Sequence, residues 1–129
     1  MEEEEKLGIE ASKLRKNLDE VLDKIRNLRH DELMAKKMHF IGKYYKDVDE
    51  YHPECHRLFF VYGVDNDCRL KTLEILYWED CSDTAFSIQY NGYFEPDGDD
   101  ANKIVEVTKE EFVKEYNIVN SLINRVVNQ

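Results

Sequence analysis

His52, Cys55 and His56 form a His-x-x-Cys-His cluster beside Pro53, and Cys81 follows alone in a polar stretch. Two imidazoles and two thiolates make a sufficient tetrahedral shell for zinc. In an antiparallel meander, the loop carrying His52 to His56 and the Glu79–Asp83 turn share one end of the sheet. The paired Cys-x-x-Cys spacing of structural zinc sites is missing, however, and Cys68 falls at the opposite end. Packing or surface roles are therefore the favoured reading, and no cofactor is expected. Zinc on His52, Cys55, His56 and Cys81 is the sharper alternative.

Other catalytic signatures are weaker still. Gly8, Gly42, Gly63, Gly92 and Gly98 are scattered, so no phosphate-cradling loop forms. There is no nucleophile elbow and no His-Glu-x-x-His helix. The Asp97-Gly98-Asp99-Asp100 run lacks the ligand spacing and closing glutamate of a calcium loop. The sequence thus points away from an enzyme.

Charge points towards a binding role. Eighteen Lys and Arg against twenty-eight Asp and Glu give a formal charge of -10. That opposes a direct grip on phosphate backbones or anionic membranes. Residues 57–107 carry four basic and eleven acidic side chains, so the sheet region holds most of the excess. If successive turns alternate between sheet ends, Asp65, Asp67, Glu95, Asp97, Asp99 and Asp100 gather at one of them. Such a cluster attracts a basic partner, a host protein or a nucleoprotein, and carboxylates there can stand where phosphates would. The plainer reading is that Asp is a good turn residue and solubilises the tips. A third grouping is aromatic: Tyr44, Tyr62, Tyr77, Trp78, Tyr90 and Tyr93 could line a ligand pocket within a curved sheet, although aromatics at strand spacing are more often core.

The elements that must position these groups follow from periodicity. Leu7, Ala11, Leu14, Leu18, Val21, Ile25 and Leu28 recur at alternating spacings of four and three, which predicts one helix over residues 1–30. From Met34 the period changes to two, predicting a strand that ends near Lys46. Further strands are expected at 57–64, 69–78 and 84–94, with a short fifth at 103–107. Thr108 followed by Glu111 has capping-box spacing, and Phe112, Tyr116, Val119, Ile123 and Val126 continue as a helical stripe. The chain is expected to be α+β, a single globular domain overall. It would comprise a coiled-coil-like helix (1–30) followed by residues 34–129, a four- to five-stranded antiparallel meander, curved or closed into a small barrel, with a C-terminal helix.

The strand Ile41-Gly42-Lys43-Tyr44-Tyr45-Lys46, the aromatic strand after it and the stretch Val105-Glu106-Val107-Thr108-Lys109-Glu110-Glu111-Phe112 resemble a pattern in small uncharacterised bacteriophage proteins. The resemblance covers residues 38–118. It implies a phage or mobile-element origin, and no catalytic motif.

The first helix carries the most specific signal. With Ala11, Leu18 and Ile25 at a and Leu7, Leu14, Val21 and Leu28 at d, a parallel dimer sets Glu10 against Arg15, Asn17 against Leu22 and Lys24 against Arg29. The last pair repels, which favours an antiparallel arrangement, against the C-terminal helix or within a homo-oligomer. Ordinary intramolecular core is the alternative to self-association.

No apolar run approaches a membrane span, and Met1-Glu2-Glu3-Glu4-Glu5 is unlike a signal peptide. Three cysteines suggest no disulfide framework, so a reducing cytoplasm is expected, the host's if the chain is phage-encoded. The sequence favours a non-enzymatic interaction module that self-associates through its helices. With the phage resemblance, it would regulate or inhibit a host defence or nucleic-acid-processing machine. The alternatives are a small-ligand-binding protein or enzyme with an aromatic pocket, and a virion or assembly component.

Overall fold

The computed structural model describes residues 2–48, 50–79, 84–98 and 103–129. Helix α1 (Glu3–Met38) is followed by strands β1 (Tyr44–Asp47), β2 (Cys55–Val64), β3 (Leu70–Glu79), β4 (Thr84–Asn91) and β5 (Ile104–Val107), then helix α2 (Lys109–Val127). The fold is α+β, and the chain divides between Lys36 and Lys37 into two compact units.

Helix α1 is longer than its heptads suggest. Residues 31–38, whose Met34 and Met38 fit the start of a two-residue period, are helical instead. Glu32, Leu33, Met34, Ala35 and Lys36 are all strong helix formers, and no Gly or Pro intervenes before Gly42. Glu3, Glu4 and Glu5 occupy the first turn, where the helix dipole favours negative charge. The chain then tightens: the Phe40 and Ile41 amides donate to Lys37 and Met38 carbonyls. Gly42, at φ +86°, donates its N–H to the Val61 carbonyl at 2.8 Å and so sets β1 against β2.

The sheet is antiparallel in the order β4-β3-β2-β1-β5. Strands β1 to β4 form the expected meander, but β5 does not extend it beside β4. It pairs instead with β1, Tyr44 opposite Val107 and Asp47 opposite Ile104. The sheet is therefore open, with β4 and β5 as its edges, and the closed barrel does not form. Closure would need a β4–β5 ladder, and the four-residue β1 and β5 are too short to carry the tilt and stagger of a barrel.

Side-chain alternation gives the sheet two apolar faces. One carries Leu58 and Ile75, covered by Phe112 and Val119 of α2. Fully burying a side chain of that size contributes about 1.5–3 kcal/mol. The Thr108 hydroxyl caps α2 by accepting from the Glu111 amide at 3.2 Å, as the spacing predicts. The other face carries Tyr45, Phe59, Val61 and Leu70, covered by Phe94. Strand β4 ends at Asn91, three residues short of the predicted end, which frees Phe94 for that role.

Candidate functional site

The heptad residues of α1 present a continuous apolar seam. No α1 residue is buried, and Leu14 and Leu28 are 69% and 63% exposed. Leu7, Leu18, Val21 and Ile25 are exposed with them, and Ala11 completes the stripe. Most of the apolar stripe of α2, by contrast, is engaged: Phe112, Tyr116, Val119 and Ile123 pack into the cluster on the sheet, and Val126 is exposed.

A second feature lies on the sheet face opposite α2. Here a polar chain is buried among apolar neighbours. The Glu74 carboxylate, 3% exposed as a residue, meets Arg57 Nε at 3.1 Å and accepts from Asn91 Nδ2 at 2.7 Å. Thr72 Oγ1 donates to the Asn91 carbonyl at 2.6 Å, and Asn91 Oδ1 accepts from the Tyr93 amide at 2.8 Å. Burying a carboxylate is costly unless it is paired and hydrogen-bonded, and this set supplies both partners.

Beside it opens a cavity of about 380 Å³ lined by Asp47, Asn91, Glu95, Phe59, Phe94, Tyr93, Gly98 and Ile104. Phe94 stacks on Phe59 at 4.1 Å and leans on Tyr45 at 5.6 Å. Burial, then the charges of Glu106 and Asp97, push the Tyr45 phenol up to about 12. Two carboxylates and an amide beside stacked rings suit a ligand with apolar body and positive or donor-rich groups.

The acidic candidates among the described residues take different partners. Asp65 belongs to the β2–β3 turn, where it accepts from the Asp67 and Arg69 amides at 2.9 Å and pairs with Arg69 Nε at 3.0 Å. These backbone bonds, the Arg69 amide's first, hold its carboxyl below the ordinary aspartate value. Asp67 also reaches Arg69. Glu95 instead lines the cavity, and Asp97 pairs with Lys37 Nζ at 3.1 Å. Phe94, between β4 and these acidic residues, packs on the sheet face of Phe59, where Glu95 lines the cavity. Asp99 and Asp100 lie outside the described residues.

The aromatic candidates are dispersed too, and only Tyr93 lines the cavity. Tyr44 stacks on Phe60 at 4.8 Å and faces Phe112, and Tyr77 packs into the same helix-covered cluster. Tyr62 is exposed beside the β-bulge between Val61 and Gly63, and Trp78 and Tyr90 are exposed as well. A β-strand's two-residue alternation sends such rings to different faces, so a shared chemical type does not make a shared pocket.

His56 Nδ1 lies 3.0 Å from Glu115 Oε1, and its ring meets Tyr77 edge-on at 6.0 Å. Tyr77 donates to Glu79, which with burial raises the phenol's pKa. The His56–Glu115 pair joins β2 to α2. His52 is 3.5 Å from Glu54. Among the described residues no three His, Cys, Asp or Glu side chains are grouped to hold a metal, and Cys81, the fourth member of the zinc candidate, lies outside them.

Comparison with known proteins gives no relative. No family model, curated protein or solved structure matches the chain. Among the described residues no helix is long and apolar enough to cross a membrane.

Asn91, Glu74, Phe59 and Phe94 escape a reading of the sequence as site residues. Glu74 does leave a local signal, a lone charge in the run Leu73-Glu74-Ile75-Leu76. The His56–Glu115 pair leaves none, since its members are 59 residues apart.

Proposed function

We propose that the protein is a non-enzymatic interaction module that self-associates through α1 and engages a basic partner through its acidic surface. What carries the reading is the exposed stripe Leu7, Leu14, Leu18, Val21 and Leu28 on a helix with no buried residue. Apolar surface left in water forgoes roughly 25 cal/mol per Å², and most helical stability in proteins comes from packing such a face. The strict four-three spacing also suits another helix better than a sheet, because a 3.5-residue repeat keeps one seam facing its partner. The charge of -10 supports a basic partner. The resemblance to small phage proteins adds a host defence or nucleic-acid-processing machine as its class.

Light scattering tests the reading. The unmodified protein should show a multiple of the 15.4 kDa chain mass. Replacing Leu14 and Leu18 together by Glu should bring it to one chain while the strand signal in circular dichroism persists. An unmodified protein that stays monomeric at high concentration overturns the proposal.

A second reading rests on the cavity holding Asp47, Asn91 and Glu95, which is within the size range of small-molecule sites. It makes the protein a small-ligand binder. Saturable chemical-shift changes confined to residues around Asn91 on titration with small amines would support it, and uniform weak shifts would oppose it.

A further inference from the structure

We infer that α1 pairs with a second copy of itself antiparallel, in the one register that sets Leu14 against the partner's Leu18 and Glu10 against the partner's Lys24. The inference rests on the self-association proposed above and adds its orientation, register and span.

The helix is continuous to Met38, so the heptad frame extends past Leu28 and places Glu32 at a and Ala35 at d. A parallel pair would then stack Glu32 on the partner's Glu32 inside the seam. It would also face Ala11 with the partner's Ala11, a thin layer, and set Lys24 beside the partner's Arg29. Antiparallel pairing removes all three defects. About a dyad near Lys16, Ala11 faces the partner's Val21, Leu14 the partner's Leu18 and Leu7 the partner's Ile25. A small residue then meets a larger one in the layer that was thin.

The flanks agree with this register. In antiparallel pairs, g residues neighbour g residues and e residues neighbour e residues. Glu10 and Lys24, both at g, meet twice by symmetry. Leu22, the apolar e residue that broadens the seam, lies over the partner's Gly8. Nothing occupies the space where a Gly8 side chain would project, so Leu22 has room there. Between residues 7 and 28 the one like-charge contact is Arg15 with its own copy at the dyad, while at the ends Leu28 meets the partner's Glu4 and Asp31 neighbours the partner's Glu3. Sliding the helices by a heptad one way replaces both Glu10–Lys24 pairs with Glu10 beside the partner's Asp31. Sliding them the other way sets Glu4 against the partner's Val21 in the seam and gives Glu10 the partner's uncharged Asn17 in place of Lys24. With a rise of 1.5 Å per residue, the two chains leave their helices at Met38 about 65 Å apart. Such a dimer is bivalent, suited to a partner with two separated binding sites.

A charge-reversal cycle on the full-length protein, read as the dimer dissociation constant by sedimentation equilibrium at low salt, tests this. Lys24→Glu sets a carboxylate against the partner's Glu10 and should weaken the dimer about three- to tenfold, the range for two flanking ion pairs. Glu10→Lys should weaken it similarly, and the double reversal should restore the original affinity. In a parallel dimer Lys24→Glu meets the partner's Arg29 and tightens association, so tightening, or no change, overturns the register while leaving self-association standing. A monomeric unmodified protein overturns both.

Discussion

The Phe94 ring lies on the Phe59 ring at 4.1 Å with 20° between their planes, and that stack pins the segment after β4 to the sheet. It connects the last meander strand to a fifth strand at the opposite edge. Phe94→Ala should cost about 3–5 kcal/mol, the usual range for a buried phenylalanine. Urea unfolding measures the loss. Hydrogen exchange should show amides of β5 opening more readily than those of β2 and β3. Equal protection across all three strands would mean the stack does not hold the crossing.

Arg57 and Asn91 together satisfy Glu74, so removing one partner leaves a buried carboxylate short of a contact. Arg57→Met should destabilise by about 2–3 kcal/mol, at or below the low end for broken buried pairs because Arg57 itself is half-exposed. Glu74→Leu in the same chain should recover much of that, since an apolar pair of similar volume needs no hydrogen bonds. Chemical denaturation of the two singles and the double gives the coupling, and additive losses would contradict it.

Alkaline stability should report on Tyr45. Its folded pKa of about 12 exceeds the ordinary value of 10.0, so the stability it contributes is complete below pH 10 and is lost as pH rises towards 12. The full loss is on the order of 2–3 kcal/mol. Urea midpoints between pH 8 and 11.5 should fall less steeply for Tyr45→Phe than for the unmodified chain. Parallel profiles would show that the phenol titrates freely.

Acid stability should report on Asp65 with the opposite sign. Its carboxyl is held below the ordinary value by the Arg69 amide and then by the Asp67 amide and the Arg69 guanidinium. The contribution is therefore full above the unfolded value and disappears as pH falls through the lower folded one. Asp65→Asn, which cannot titrate, should be less stable at pH 6 and converge with the unmodified chain in strong acid. A constant gap between them would deny the turn carboxylate this role.

Local periodicity revealed that both helices and the four meander strands exist, because each pattern is written in neighbouring residues, but it misplaced the boundary between α1 and β1. The Thr108 cap and the engagement of Phe112 and Val119 follow from spacing alone. The heptad seam of α1 is equally local, and so is its lack of any polar residue between Leu7 and Leu28 at a or d. Where period two and helix propensity competed, over 31–38, an unbroken hydrogen-bond ladder prevailed and lengthened the helix. The place of β5 could not be read locally, because Val105 and Val107 fit an edge beside β4 or beside β1 equally well. Its place beside β1, with Tyr44 opposite Val107, accompanies contacts between residues distant in sequence, among them Phe94 on Phe59. The cavity likewise joins Asp47 to Asn91 and Glu95, which lie far from it along the chain. Those partners are distant in sequence, and contact between them is a property of packing, which carries no short-range signature along the chain.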